Sequence, residues 1–237
     1  MGDQIQSRNR LDRRLYWGTS VVFFALVFWT FARTFYLKSF FPTPRLSTLL
    51  QIHGIAMSGW VVLLVVQTSL VAFRRVKWHR QLGVFGSVWA ALVVLLGTLT
   101  TLHAAAREVR GHTHFAAIQV FITTLDLLQM LFFAGFVSIA IWKRSRVDQH
   151  TRLMLMTIPC MLPDALARLP VSFMTNHLIM IILDLFIFLI VAIDTYWHRK
   201  LHPAFAWSAL LFVGAFHLTL YFAQTANYIR FAESLFV

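Results

Sequence analysis

The chain has 237 residues, of which 59% are hydrophobic and 13% charged, with a mean hydropathy of +0.70. Soluble domains run at about 45–50% apolar and about 25% charged, so this chain holds more apolar surface than one soluble core could hide. That excludes a soluble enzyme, a disordered tail and a fibrous repeat. The net charge of +12 would suggest nucleic acid in a soluble protein, but here the basic residues stand in short clusters between apolar runs. Clusters so placed face anionic headgroups, and no nucleic-acid partner is expected.

A bilayer core about 30 Å thick takes roughly 20 apolar residues per helix. At that length the chain reads as an all-α, polytopic membrane protein whose partner is the lipid bilayer. Its bundle of seven transmembrane helices lies at about 17–37, 47–73, 81–103, 114–142, 152–173, 176–197 and 203–229. A basic tail, 1–16, precedes this domain of residues 17–229, and a short segment, 230–237, follows it. The first run lacks a small-residue cleavage site, so it reads as a retained helix and not a signal peptide. Pro159, Pro163 and Pro170 interrupt the fifth span and Asp184 the sixth. The single cysteine, Cys160, permits no disulfide within the chain.

Lysine and arginine set the expected orientation. Arg8, Arg10, Arg13 and Arg14 precede the first span, and Arg74, Arg75, Lys77 and Arg80 fill the second inter-helix loop. Lys143, Arg144, Arg146 and Arg152 follow the fourth span, and Arg199 and Lys200 the sixth. That places 14 of the 21 basic residues on one side, so the N-terminus is expected in the cytoplasm and the C-terminus outside the cell membrane. Basic clusters precede His79, His150 and His202, a weak sign of three similar hairpins.

Four of the nine acids fall inside expected spans: Asp126, Asp164, Asp184 and Asp194. An ionised acid at membrane depth costs about 2.5–3.5 kcal/mol on insertion scales and needs a partner or water. Asp194 lies near a helix end, where Arg199 or headgroups are within reach. Helical spacing puts His53, Met57, Trp60, Leu64 and Gln67 on one stripe, Gln119, Thr123 and Asp126 on another, and His217, Tyr221, Gln224 and Tyr228 on a third. Asp164 and Arg168 stand four apart, as in a helical ion pair. Counted at 1.5 Å per residue, His53, Gln119, Asp164, Arg168, Asp184 and Gln224 fall in the outer half, with Asp126 and His217 near the middle. Together they point to one polar cavity opening outward. The competing reading is structural, since polar side chains also join transmembrane helices at about 0.6 kcal/mol per hydrogen bond. His79, His150, His198 and His202 all neighbour Arg or Lys and read most simply as interfacial helix ends. The outer loop holds His103, Glu108, His112 and His114, a weak metal-ligand pattern.

The pieces His53-Gly54, Trp60, Gln67, Leu70-Val71, His79-Arg80-Gln81-Leu82-Gly83, His150-Thr151-Arg152-Leu153-Met154, Ala167-Arg168-Leu169-Pro170 and His202-Pro203-Ala204 resemble a group of uncharacterised bacterial integral membrane proteins. That resemblance implies topology and no particular activity. A histidine on one helix followed by His-Arg-X-X-Gly on the next is also distantly similar to b-type membrane cytochromes, in which histidine pairs on neighbouring helices hold haem. Haem b is accordingly the leading cofactor, with His53 or His217 as an outer ligand, His79 or His150 as an inner one, and Arg168 for the propionates. A proton-coupled transporter or small-molecule binder would use the same intramembrane acids, Asp–Arg pair and broken helix. The topology is also similar to adiponectin-receptor and ceramidase-like zinc enzymes, for which His53 and His217 would be ligands, with Asp126 or Asp184 near the metal water. His217 is followed at +4 by Tyr221, so the paired histidines of those families are absent. A homo-oligomer or a subunit of a larger membrane complex remains a further expectation. A retinal protein is excluded, because no lysine lies within a span except Lys38 at an edge.

Overall fold

The structure, a computed structural model, describes the backbone of residues 2–111, 117–169, 175–223 and 225–234. It describes the side chains of 11–108, 119–169, 175–223, 225–232 and 234. Among the described residues nine α-helices follow one another: α1 (Gly2–Phe31), α2 (Thr48–Ala72), α3 (Val76–Gly111), α4 (Ala117–Trp142), α5 (Val147–Leu155), α6 (Leu162–Leu166), α7 (Asn176–His198), α8 (Pro203–Phe222) and α9 (Ala226–Ser234). No strand occurs among the described residues. Six helical stretches among the described residues are long and apolar enough to cross a membrane, so this is a multi-pass helical membrane protein. They are Leu11–Tyr36, Thr48–Ala72, Val76–Glu108, Gln119–Trp142, Asn176–His198 and Pro203–Phe222.

Local chemistry sets the ends. The Ser47 hydroxyl accepts the Leu50 N–H at 3.3 Å to start α2, and Thr175 does the same for Leu178 at 3.2 Å to start α7. His202 caps α8 by accepting the Ala204 N–H through Nδ1 at 3.1 Å, and Pro203 follows in the first turn. α2 stops in a six-to-one turn in which Arg75 N donates to Leu70 O at 2.7 Å and Arg74 N to Val71 O at 3.1 Å. Arg74 thereby adopts a left-handed φ of 60°, and Arg199 past α7 adopts 56°.

In the expected fifth span, 152–173, the described residues form no single helix long enough to cross, so six such helices stand where seven were expected. Pro159 has no N–H, and its ring clashes with the carbonyl four residues back, Leu155, where α5 ends. Pro163 then sits in the first turn of α6. Between the two helices the backbone tightens into three-residue turns, with Thr157 N on Met154 O at 3.2 Å, Ile158 N on Leu155 O at 3.1 Å and Met161 N on Ile158 O at 3.0 Å. Met156, Thr157, Ile158 and Cys160 are fully enclosed. Irregular backbone at membrane depth is tolerated only when protein or water surrounds it, and here protein does. α5 packs on α4 and α8, and α6 on α1 and α7. α4 and α7 both end beside Arg152, through His150 on Ala140 O and Asp194 on Arg152, so the chain runs back through the bundle along 147–169.

The core is aromatic and close-packed. Phe133, Phe205, Phe212 and Phe216 are almost wholly buried. Trp60 meets Phe133 edge-on at 4.9 Å, and Phe132 meets Phe212 at 5.1 Å. α1 joins α2 through Trp17 Nε1 on Ser69 Oγ at 3.0 Å and Ser20 with Thr68 at 2.7 Å. The last expected span, 203–229, divides: α8 ends at Phe222, and α9 rests on α4 with the Tyr228 and Thr124 hydroxyls 3.0 Å apart.

Candidate functional site

The end of the bundle where α1 begins carries two histidine clusters. His79 opens α3 and His150 lies in α5. Their rings stand 6.3 Å apart, centroid to centroid, with planes at 81°. His150 Nδ1 donates to the Ala140 carbonyl at 2.8 Å, which leaves Nε2 free. On the other side, the Gln67 amide bridges α2 to α3. Its oxygen accepts the Gly83 N–H at 3.0 Å, its nitrogen donates to His79 O at 3.2 Å, and the same nitrogen lies against His79 Nδ1. Both rings therefore have their Nδ1 edges engaged, His79 by Gln67 of α2 and His150 by Ala140 of α4. Gln67 belongs to the stripe that also holds buried Trp60 and Leu64, and that stripe faces inward as its spacing suggests.

The second cluster surrounds Arg152, and sequence reading missed its partners. Arg152 Nε donates to Asp194 Oδ2 at 3.0 Å and Nη2 to Oδ1 at 2.8 Å, while Nη1 donates to the Asp148 carbonyl at 2.9 Å. The two charged side chains are 4% and 0% exposed. Asp194 thus does not turn to Arg199 or to headgroups as expected; Arg199 lies over the Tyr196 ring at 4.8 Å. His198 Nδ1 lies 2.9 Å from Asp194 O, and its Nε2 lies 3.4 Å from Asp12 Oδ2 on α1. Asp12, Asp194 and His198 place three metal-capable atoms within 4.8 Å. Both Asp194 oxygens also accept from the Arg152 guanidinium, so the cluster is part of an ion-pair network. His202 completes this end by donating through Nε2 to Asp148 Oδ2 at 3.0 Å. Burial pushes the Asp148 carboxyl up, but the hydrogen bonds from His202 and from the Gln149 backbone outweigh it and hold the carboxyl below its ordinary 3.8.

At the opposite end the structure brings four expected residues together. Asp126 on α4, Asp164 on α6 and Arg168 just past α6 are near enough for their charges to interact, and Arg168 also acts on His53 of α2. Thr101 faces the Asp126 carboxyl and Gln129 the Asp164 carboxyl; neither was singled out from sequence. His53 Nδ1 and Gln129 Oε1 are buried with no hydrogen-bond partner among the described residues. The expected Asp164–Arg168 contact takes a different form, since Arg168 Nη1 donates to the Asp164 backbone carbonyl at 2.8 Å while its guanidinium lies 4.4 Å over the Phe31 ring.

Gln119 reaches only its own helix, at Thr123 Oγ1, 3.4 Å away. His217 and Asp184 do not join the cluster. They pair with each other, Nε2 to Oδ2 at 2.8 Å, with side chains 48% and 35% exposed on the outward face of α8 and α7. Tyr221 on the same stripe is 71% exposed, while the inward face of α8 is Phe205, Ser208, Phe212 and Phe216. α2 packs chiefly on α1 and α3, and α8 on α4, α5 and α7, so His53 and His217 are not brought together as a metal pair. Gln224, His112 and His114 lie outside the described residues.

Comparison of the chain with protein-family models, with curated proteins and with solved structures finds no match.

Proposed function

We propose that the protein crosses the cytoplasmic membrane seven times, by its six long helices and the broken segment 147–169, with the N-terminus inside and the C-terminus outside, and that it is a redox protein holding haem b between His79 and His150. The lysine and arginine distribution supports the orientation. One observation carries the function: two imidazoles from separate helices stand with their ring centroids 6.3 Å apart and their Nδ1 edges engaged. Metal–imidazole bonds of about 2.0–2.1 Å on either side of one ion put two ring centroids roughly 6 Å apart, and the observed separation is 6.3 Å. An Nδ1 held by a carbonyl or carboxamide orients a ligating ring and raises its basicity. Ala140 O does this for His150. At His79 it is the Gln67 nitrogen that meets Nδ1, since the amide oxygen is taken by the Gly83 N–H. A haem bound there would supply one-electron transfer near the inner membrane surface.

The test is the absorbance spectrum of the protein purified in mild detergent, oxidised and then reduced with dithionite. A Soret band with sharpened reduced bands is expected, lost in His79→Ala and in His150→Ala but kept in His202→Ala. A featureless visible spectrum after expression with ample haem overturns the reading.

A second reading rests on the cluster of His53, Asp126, Asp164 and Arg168. Two acids, a cation and an unpartnered imidazole nitrogen at one depth suit a small-molecule or proton site opening outward. Proton uptake by protein in vesicles, abolished by Asp126→Asn and unaffected by His150→Ala, would favour that reading over the redox one.

A further inference from the structure

Asp184 and His217 bond to each other across α7 and α8, Nε2 to Oδ2 at 2.8 Å, yet their side chains stay 35% and 48% exposed. Asp184 stands eight residues past Asn176, the first of α7, and His217 five before Phe222, the last of α8. At 1.5 Å per residue both lie more than a turn inside the apolar stretch. Around them Ile181, Leu185 and Leu218 are exposed. An acid and a base are thus set into an otherwise apolar surface at membrane depth, where ionisable groups almost always face protein or a water-filled cavity. Packing within the chain does not cover them, because α8 buries its other side, at Phe205, Phe212 and Phe216.

The chemistry of the pair says what would cover it. Their bond uses Nε2 and Oδ2, which leaves Nδ1 and Oδ1 for a second molecule. A face with one acid and one base side by side is complementary to itself. Two copies of the chain sit at the same depth in a bilayer, so a two-fold axis along the membrane normal can bring His217 of each copy to the partner's Asp184. An imidazolium donates at both nitrogens and a carboxylate accepts at both oxygens, so two such pairs can close into one ring of four hydrogen bonds. Polar side chains shared between helices are a main adhesive inside membranes, where lipid tails are as apolar as leucine.

We propose that the outward face of α7 and α8 around Asp184 and His217 docks a second copy of this chain, each pair closing on the partner's pair. The test uses the full chain fused to donor or acceptor fluorescent proteins, mixed in phosphatidylcholine vesicles over a series of protein-to-lipid ratios. Energy transfer that rises with the ratio and saturates is expected for the wild type. In Asp184→Ala/His217→Ala the ratio at half-saturation is expected to rise roughly tenfold or more. Energy transfer absent from the wild type at every ratio, or equal in the two proteins, overturns the proposal. A second measurement leaves the pair intact: oxidative cross-linking of Leu218→Cys, beside His217, and of Val88→Cys, 69% exposed on α3. Native Cys160 is buried and takes no part. A disulfide-linked dimer is expected from Leu218→Cys and not from Val88→Cys. Any other pattern overturns the docking face.

Discussion

Arg152 grips Asp194 by two parallel hydrogen bonds, 3.0 and 2.8 Å long, across 42 residues of sequence and with almost no solvent reaching either group. Removing one partner of such a pair strands the other charge, at about 3–5 kcal/mol. Arg152→Ala is therefore expected to lower the unfolding temperature in detergent far more than Arg144→Ala, whose exposed side chain is worth less than about 0.5 kcal/mol. Equal unfolding temperatures for the two variants would contradict the pair's structural role.

The Asp184–His217 pair predicts the opposite pattern. Both groups lie on the outward face, so each single alanine variant leaves one polar side chain facing lipid without its partner. Intramembrane hydrogen bonds average about 0.6 kcal/mol and reach about 1.7. The double variant Asp184→Ala/His217→Ala is expected to be at least as stable as either single one, and a double-mutant cycle by thermal unfolding reads the coupling directly. Additive losses in the double variant would show that the two side chains act apart.

Gly59 sits where a Cβ would come within 2.4 Å of the Trp89 ring, and that ring is fixed by its bond to Ala56 O at 2.9 Å. Gly59→Ala must push α2 and α3 apart or break that bond, at about 1–3 kcal/mol. Gly214, on α8, has nothing within 4 Å of its Cβ position; there alanine should be neutral or stabilising, since glycine inside a helix costs up to about 1 kcal/mol. Thermal unfolding of the two variants side by side decides the matter.

Asp148 titrates below its ordinary 3.8 because His202 and the Gln149 N–H favour its charged form. A carboxyl depressed in the folded state contributes stability that is full above the unfolded value and lost as pH falls through the folded one. Asp148→Asn should therefore fall behind the wild type in unfolding temperature above about pH 5, and the gap should close as pH falls below the ordinary carboxyl value. A constant difference across that range would remove the linkage.

Sequence patterns located five of the six long helices by apolar length alone, and the sixth as far as Phe222. They placed polar residues on shared faces correctly, as with His53, Trp60 and Gln67. They did not reveal which face looks inward, because lipid and core are equally apolar and α8 is apolar all round; His217 was assigned to the interior for that reason. Nor could spacing within one helix pair Arg152 with Asp194, or His79 with His150, since those contacts depend on how the broken segment threads the bundle. Pro159 and Pro163 signalled the break, and the burial of the tight turns between them follows only from the helices packed around it.

That break also dictates an order of assembly. Segment 147–169 holds two prolines, Arg152, Asp164 and Arg168, and alone in lipid it would expose both charge and unpaired backbone groups. The six long helices can each partition into the bilayer as they emerge. Arg152 meets its carboxylate on α7, and α5 packs against α8, so on the proposed reading, in which this segment crosses the bilayer, the last two membrane helices to be synthesised complete its surroundings.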